Sequence, residues 1–377
     1  MPDASTISGT CDERFAGVRE AFESNLVRGL DVGASVAVYV DGEPVVDLWG
    51  GHLDAQRTQP WERDTVVNVW STTKTMTALC ALVLADAGEL DLDAPVARYW
   101  PEFAAAGKRE IAVRDLMAHT AGLAGWTEPL TVEDLYDWEK ATGLLAAQAP
   151  WWEPGTASGY HALTQGYLVG EVVRRVTGES VGRFFSERVA APLGADFHIG
   201  TPSEVDPRVA PVIPPESIPG LDRATAPLAV RTFTNPPLSA EISSTVPWRR
   251  AEIPAAGGHG NARSIAAVHS VVACGGEARG VRLLSGDGVE RIFEEQSNGP
   301  DLVLGVPLRF GIGFGLSGQL MPGGPRTCYW GGWGGSLVVA DLDTRLCVAY
   351  AMNRMESGLV GDTRGAALVL AAAAALR

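Results

Sequence analysis

The 377-residue chain is poor in lysine and strongly acidic. It has only three lysines, Lys74, Lys108 and Lys140, and its formal net charge at pH 7 is −15. A chain with this charge is repelled by the phosphates of nucleic acids and of anionic membranes. We therefore expect neither nucleic acid nor a membrane among its partners.

Long hydrophobic runs are also scarce. The N-terminus, MPDASTISGTCDERF, has no basic start and no apolar core, so we expect no signal peptide. The longest apolar run, GAALVLAAAAAL at residues 365–376, is too short to cross a bilayer. It is more typical of a helix packed on a sheet.

The cysteines and histidines form no metal-binding pattern. No two of them have metal-ligand spacing, so we expect no metal and no other cofactor. The cysteines are odd in number and widely scattered, which favours free thiols in a reducing cytoplasm. They are Cys11, Cys80, Cys274, Cys328 and Cys347.

The pattern of predicted elements indicates an α+β fold. Helical spacing covers residues 13–29, and a strand–turn–strand hairpin follows, with its turn at Asp41-Gly42. Further strands lie near the C-terminus, and helix-rich sequence lies between. We predict one antiparallel sheet built from both chain ends and flanked by helices, formed by residues 1–74 and 255–377. A mainly helical lobe of residues 75–254 is inserted, with the active site between the two.

Two familiar motifs are discounted. GESVG, at residues 178–182, matches the nucleophile elbow of α/β-hydrolases, but a helix rather than a strand is predicted before it. We expect Gly178 to end that helix and Ser180 to lie near the cap of the next one. GFGLSG, at residues 313–318, matches a dinucleotide-binding pattern, but QLMPGGP cannot form the helix that must follow. We predict a glycine-rich strand and turn there.

The stretch NVWSTTKTMTALCALVLADAG, at residues 68–88, is different. From Met76 to Ala87 it is apolar on almost every side, which predicts a buried helix. Lys74 lies at its start, one helical turn after Ser71. Free backbone N–H groups at a helix start stabilise an oxyanion, and burial lowers a lysine pKa, so the pair suits an activated serine nucleophile. The spacing alone equally allows Ser71 to be a cap and Lys74 to extend to solvent.

Two further stretches favour the catalytic interpretation. WWEPGTASGYHALTQGYLVGE places Tyr160 between a loop and a helix, and YWGGWGGSLVVADLD is a glycine-rich strand. With STTK, they resemble the three signature elements of the serine β-lactamase and penicillin-binding superfamily. The sequence most resembles the family VIII carboxylesterases, which are related to class C β-lactamases. DLMAHTAGL (115–123) and AGGHGNARS (256–264) add to the resemblance.

The resemblance implies a β-lactamase-like fold and a set of site residues. Ser71 matches the nucleophile, Lys74 its partner, and Tyr160 the tyrosine that acts as general base in its phenolate form. Trp330, Gly331 and Gly332 take the place of the Lys-Thr-Gly element and, with Trp333, would bind substrate. The backbone N–H groups of Ser71 and Trp333 would form the oxyanion hole. We expect His119 and His259 to be structural.

Two departures from the superfamily pattern bear on the substrate. Trp330 replaces the lysine that helps to hold the substrate carboxylate, and Ala162 stands where an asparagine usually follows the tyrosine. Both changes disfavour β-lactams and favour neutral, short-chain esters. The sequence therefore predicts a serine carboxylesterase. The alternatives are a β-lactamase or D-aminopeptidase-like amidase on the same site, or a non-catalytic binding protein with a dead site.

Overall fold

The structure is a computed structural model that describes residues 7–216 and 227–377. The first six residues of the segment in which we expect no signal peptide lie outside this description, as do residues 217–226. Fifteen strands occur in the described residues. They are β1 (Ile7–Cys11), β2 (Gly33–Val40), β3 (Glu43–Gly51), β4 (Val66–Asn68), β5 (Phe197–Ile199), β6 (Val209–Ala210), β7 (Gly258–Gly260), β8 (Glu277–Ala278), β9 (Val281–Arg282), β10 (Ser297–Pro300), β11 (Pro307–Phe310), β12 (Gly315–Leu316), β13 (Thr327–Gly331), β14 (Leu337–Asp341) and β15 (Leu346–Met352).

The same two ranges contain twelve α-helices, several of them extended by short 3₁₀ turns. The helices are α1 (Ala16–Val27), α2 (Thr73–Asp86), α3 (Val113–Met117), α4 (Trp138–Ala147), α5 (Thr164–Thr177), α6 (Val181–Phe185), α7 (Ala191–Leu193), α8 (Pro227–Phe233), α9 (Val246–Arg250), α10 (Ala262–Ala273), α11 (Gly286–Glu290) and α12 (Thr363–Ala374).

The main sheet joins the two ends of the chain. Its nine strands run in the order β1-β3-β2-β15-β14-β13-β12-β11-β10, and all neighbours are antiparallel. The β2–β15 pair joins the N-terminal strands to the C-terminal ones, with Val36 opposite Tyr350. The predicted α+β fold with a sheet built from both ends is therefore confirmed.

The predicted hairpin forms between β2 and β3. Asp41 and Gly42 have φ angles of 52° and 82°. Two successive residues in the left-handed region are what a tight hairpin turn requires, and Asp-Gly is a favoured pair for it.

Helices cover both faces of this sheet. Every residue of β15, and every residue of β2 except Val40, is buried, so neither face of these central strands meets solvent. Helix α10 packs on β2, β14 and β15, while α12 packs on β15 and against α1. The alanine-rich run near the C-terminus is thus a helix on the sheet, as predicted.

A second, small sheet lies across the predicted lobe boundaries. Its order is β5-β7-β4-β6, so β5 and β6 come from the inserted region and β4 and β7 from the two flanking regions. The sequence did not predict this sheet because its strands are only two or three residues long. The division at residues 74/75 and 254/255 stays a prediction.

The discounted motifs have the structures predicted for them. Gly178 follows α5 with φ 74°, and the Ser180 side chain caps α6 by accepting from Arg183 N. The Ser180 hydroxyl also donates to Glu252 at 2.5 Å. GFGLSG contains strand β12 and no helix.

Helix α1 provides a test of the packing. Phe22 is fully buried, whereas Val27 on the same helix is 66% exposed. We expect Phe22→Ala to lower the free energy of unfolding by about 3–5 kcal/mol, since it leaves a cavity in the core. Val27→Ala should change it by less than about 0.5 kcal/mol. Urea denaturation of both variants measures this, and equal effects would contradict the assignment of the buried face.

Candidate active site

Ser71 lies where the small sheet passes into a buried helix. It belongs to the 3₁₀ turn Trp70–Thr72, between β4 and α2, and eleven of the fourteen residues of α2 are buried, as predicted. Trp70 has φ 47°, an uncommon conformation for a bulky residue. Its ring packs against Trp248 at 5.5 Å and Trp333 at 4.8 Å between centroids. Aromatic packing thus holds the strained backbone immediately before Ser71.

The amine of Lys74 is buried among oxygen atoms. Its Nζ lies 3.0 Å from Ser71 Oγ, 2.6 Å from Ala162 O and 2.9 Å from Ala255 O. The residue is 2% exposed, and burial lowers its pKa well below the ordinary lysine value. None of the ion pairs among the described residues includes Lys74, so no counter-charge opposes this shift.

The geometry around Nζ suits a neutral amine. Such an amine has two N–H donors and one lone pair. The two carbonyls of Ala162 and Ala255 accept the donors, which leaves the lone pair for the Ser71 hydroxyl. Lys74 can therefore take a proton from Ser71.

Tyr160 reaches Ser71 from the other side. Its hydroxyl donates to Ser71 Oγ at 2.6 Å, and Lys74 Nζ lies 4.7 Å from the centre of its ring. Burial raises the pKa of Tyr160, while its hydrogen bond with Ser71 lowers it in part. The structure thus brings together the three residues that the sequence proposed as catalytic.

The backbone of Tyr160 is fixed by a residue that sequence reasoning missed. The Oδ1 atom of buried Asp301 accepts from Tyr160 N at 3.0 Å. The same oxygen accepts from the N–H groups of Val303 and Leu304, so Asp301 organises its own turn as well. The sequence could have indicated that turn, but not its contact with a residue 141 positions away.

Two neutral histidines support the same loop. His161 Nε2 accepts from Leu123 N at 3.0 Å and its Nδ1 donates to Gly159 O at 2.6 Å. Burial lowers its pKa to about 3. The backbone N–H of His161 donates to Nδ1 of His119, whose ring packs 5.1 Å from that of Tyr160. His259 lies in β7, with its Nδ1 on Gly257 O at 2.9 Å.

Gly331 and Gly332 allow close backbone approach. A Cβ on Gly332 would lie 2.2 Å from Val69 O, and a Cβ on Gly331 would lie 2.4 Å from Gly361 N. Strand β13 therefore comes against the segment that carries Ser71. In the part of the chain that the structure describes, the backbone N–H of Trp333 has no hydrogen-bond acceptor. It is a free donor beside the Ser71 segment.

Trp330 takes a different position from its neighbours. It is 2% exposed and packs on Tyr160 at 5.4 Å and on Phe310 at 5.2 Å between ring centroids. Of the four predicted substrate-binding residues, Trp333 lines the cavity above Ser71, whereas Trp330, Gly331 and Gly332 are not among the lining residues. Trp330 therefore contacts Tyr160 directly, and its binding of substrate stays a prediction.

The cavity above Ser71 is small and apolar, with a volume of about 90 Å³. Among the described residues, no side chain that carries a charge at neutral pH lines it. Its wall includes residues 232–238, which the sequence analysis did not connect with the site. The lining residues are Trp70, Ser71, Tyr160, Ala162, Leu163, Thr232, Phe233, Pro236, Leu238, Ala256, Trp333 and Leu359.

Comparison with known families identifies the architecture. A family profile described as Beta-lactamase matches residues 22–373. The chain belongs to the beta-lactamase family. The β-lactamase-like fold and the superfamily membership that the sequence predicted are confirmed, and the matched range includes all of the predicted site residues.

Three relatives within this group are similar over nearly the whole chain. The esterase/beta-lactamase LipL of Mycobacterium tuberculosis is 40% identical over 374 residues, covering 95% of this chain and 86% of LipL. The crystal structure of a family VIII carboxylesterase is 44% identical, with a TM-score of 0.94 and coverage of 98% of this chain and 100% of that one. A penicillin-binding protein homologue from Caulobacter crescentus is 38% identical, with a TM-score of 0.93 and the same coverages.

The names of these relatives agree with the expected enzyme class. Two of the three are named as esterases, as expected for a carboxylic ester hydrolase. In the described ranges, no helix has the length and apolar character needed to cross a membrane. All five cysteines are free thiols. The cytoplasmic location stays a prediction.

Gly332 provides a test of the close approach at the site. We expect Gly332→Ala to lower esterase activity about 10²-fold, because a Cβ 2.2 Å from Val69 O must push the Trp333 loop away from Ser71. Gly143→Ala is the control: Gly143 is exposed in α4 and an added Cβ would meet nothing within 4 Å. The control should keep full activity and gain up to about 1 kcal/mol of stability. Full activity in Gly332→Ala would show that the close contact is not needed.

Proposed function

We propose that this protein is a serine carboxylesterase that hydrolyses neutral, short-chain esters through an acyl-enzyme on Ser71. One observation carries the proposal. Lys74 Nζ and the Tyr160 hydroxyl both lie within hydrogen-bond distance of Ser71 Oγ, at 3.0 and 2.6 Å, and Ser71 opens into an uncharged apolar cavity. A nucleophile with two proton-transfer groups beside it is the arrangement that acyl transfer requires.

In the first step, Ser71 loses its proton to Lys74 while Oγ attacks the ester carbonyl. The resemblance implies that a Tyr160 phenolate does this, but burial favours the uncharged form of both groups. A neutral Lys74 amine with a neutral Tyr160 phenol holds the same number of protons as a Lys74 ammonium with a Tyr160 phenolate, so the two assignments differ only in the position of one proton. We therefore assign the first proton transfer to Lys74 and keep Tyr160 as the phenol.

The tetrahedral intermediate then collapses. Its oxyanion accepts hydrogen bonds from the backbone N–H groups of Ser71 and Trp333, which do not have to reorganise as charge develops. Tyr160 donates its hydroxyl proton to the departing alkoxide, and the Lys74 ammonium returns a proton to the Tyr160 oxygen. The C–O bond to the alcohol breaks, which leaves the acyl group on Ser71 Oγ and both groups neutral again.

Deacylation repeats these steps with water as the nucleophile. The Lys74–Tyr160 pair removes a proton from water as it attacks the acyl carbonyl. The oxyanion forms in the same place, and Ser71 Oγ leaves with a returned proton. The carboxylic acid is released and the starting protonation states are restored.

The lining of the cavity supports a neutral substrate. Trp330 stands where the superfamily pattern has a cation, and it packs on Tyr160, so its side chain offers no positive charge to a substrate carboxylate. Ala162 contributes a methyl group to the wall, while its carbonyl is already engaged by Lys74. The cavity volume of about 90 Å³ favours short acyl groups over long ones.

Replacement of Ser71 tests the nucleophile. We expect Ser71→Ala to lower the hydrolysis of p-nitrophenyl butyrate at least about 10³-fold, since it removes the oxygen that forms the acyl-enzyme. Ser180→Ala, the matched control, should keep the activity because Ser180 is a helix cap bonded to Glu252. Activity that survives in Ser71→Ala would contradict the proposal. A chromogenic cephalosporin hydrolysed faster than the ester would favour the β-lactamase alternative instead.

The pH dependence tests the assignment of the base. Because burial lowers the pKa of Lys74, its amine is neutral far below pH 10.5, and activity should decline only as the pH falls through that lowered value. Lys74→Arg keeps a cation but cannot accept a proton, so we expect a loss of about 10²–10⁴-fold at every pH. Tyr160→Phe should lose activity to a similar extent because no proton reaches the leaving group. A wild-type rate that rises only near pH 10.5 would contradict a neutral Lys74.

A further inference from the structure

The loop that presents the Trp333 amide is held from behind by a buried arginine. Arg364 lies in the first turn of α12, and its Nη2 donates to Gly334 O, the carbonyl of the residue after Trp333, at 2.5 Å. The side chain is 2% exposed. The other donors of the guanidinium also have acceptors. Nη1 donates to Asp31 Oδ1 at 2.8 Å, Arg354 O at 2.8 Å and Leu30 O at 3.1 Å. The Asp362 carboxylate accepts from Nη2 at 2.6 Å and from Nε at 3.1 and 3.2 Å.

We propose that Arg364, paired with Asp31, is a positioning residue for the oxyanion hole, because it fixes the loop of residues 332–336 so that the Trp333 N–H points at the reacting carbonyl. The inference rests on the proposed function. It adds a residue that acts through the loop and does not itself touch the substrate.

The loop needs an external support because its own conformation is unusual. Gly334 and Gly335 have φ angles of 94° and 129°, and no regular strand hydrogen bonds hold them. Two backbone hydrogen bonds lie within the loop. Gly332 N donates to Ser336 O at 2.8 Å, and Gly335 N donates to Gly332 O at 3.2 Å. The Ser336 hydroxyl anchors one end of the loop by donating to Val69 O at 2.7 Å. The other end is supported by the segment that leads to Arg364. Glu356 N donates to Gly334 O at 2.9 Å, and Gly334 N donates to Gly358 O at 2.9 Å.

The guanidinium is in direct contact with the loop. A Cβ on Gly335 would lie 2.5 Å from Arg364 Nη2 and 2.3 Å from Asp362 Oδ2. The planar fork of an arginine can bind Gly334 O, Asp31 and Asp362 at once in fixed directions. A lysine at the same position carries its three donors on a single nitrogen, so it cannot reach these separated acceptors in the same fixed directions.

The ion pair between Arg364 and Asp31 is buried on both sides. Asp31 is fully buried and accepts from the Tyr350 hydroxyl at 2.6 Å, yet burial raises its pKa to about 6 against the opposing effects of Arg364 and Tyr350. A carboxyl whose folded-state pKa lies above its unfolded value of 3.8 gives its full stabilisation below that value and loses it as the pH rises through about 6. At neutral pH both partners are ionised, and each charge is tolerated in the interior because the other lies beside it. Asp31 thereby holds Arg364 in place.

The test compares Arg364→Lys with a matched exchange elsewhere. Arg208 also binds a carboxylate, Asp196, and a backbone carbonyl, Asp64 O, but it lies beside the small sheet and does not contact the loop. With p-nitrophenyl butyrate, we expect Arg364→Lys to lower kcat about 10–100-fold with KM changed less than about threefold, because oxyanion stabilisation acts on the transition state. Arg208→Lys should leave kcat unchanged.

Phenylboronic acid gives a second readout. It forms a tetrahedral adduct with the serine whose oxygen occupies the oxyanion position, so its inhibition constant should rise in Arg364→Lys in parallel with the fall in kcat. The pH at which activity declines should stay the same, since Lys74 and Tyr160 are untouched. An unchanged kcat in a folded Arg364→Lys protein, a loss carried by KM, or a shifted pH profile would overturn the proposal.

A milder variant covers the case in which Arg364→Lys does not fold. Tyr350→Phe removes only the hydroxyl that orients Asp31, and we expect a severalfold fall in kcat with the same constant KM. An unchanged kcat here would equally overturn the proposal. Ser71→Ala is measured alongside. If Ser71→Ala stays active, the proposed function fails. If Ser71→Ala is inactive but Arg364→Lys keeps its kcat, only the positioning role of Arg364 fails.

Discussion

The site depends on one constraint, the burial of the Lys74 amine without an ion-pair partner among the residues that the structure describes. A lysine in this state needs acceptors for its N–H groups, and they come from two distant parts of the chain, Ala162 O and Ala255 O. The same two carbonyls leave the nitrogen lone pair for Ser71. The contacts that make the burial tolerable therefore also make the amine a base, and they bring together the start of α2, the Tyr160 loop and the segment before β7.

The two sides of the site are held by different physical means. On the Tyr160 side, the buried carboxylate of Asp301 and two neutral histidines fix the backbone through hydrogen bonds. On the Trp333 side, close packing does most of the work, since Gly332 lies directly against Val69 O and the Ser336 hydroxyl donates to the same oxygen at 2.7 Å. Strain at Trp70 is tolerated because its ring is packed between Trp248 and Trp333. The main sheet and the nucleophile are joined through these contacts.

Local patterns in the sequence predicted the elements and the core of the site. Spacing placed Lys74 one turn after Ser71, apolar periodicity predicted that α2 is buried, and turn chemistry explained Asp41-Gly42 and Gly178. Trp330 shows where such reasoning stops. Its place in the motif predicted that it binds substrate, which stays a prediction, but the motif did not indicate that the indole packs on Tyr160. Which side of a strand faces a cavity depends on packing that a single motif does not contain.

The residues that sequence reasoning missed share a physical reason. Asp301 acts on Tyr160 across 141 positions, and Arg364 acts on Gly334 from a different element. Neither contact leaves a periodic pattern or a spacing rule. Each is a buried polar group that binds a backbone atom of a distant segment, and such a partner can be identified only once the chain is folded. The small four-stranded sheet was missed for a similar reason, because strands of two or three residues carry no alternation.

The central claim is that Ser71 is the nucleophile, made reactive by Lys74 and Tyr160. Its most direct test is covalent labelling with a p-nitrophenyl alkylphosphonate, which reacts as an ester does but leaves a tetrahedral adduct that does not turn over. After digestion, mass spectrometry should find one phosphonyl group per chain, on the peptide that contains Ser71 and on that side chain, in step with the loss of esterase activity. Inactivation with the label on another residue, or full labelling with activity retained, would contradict the account.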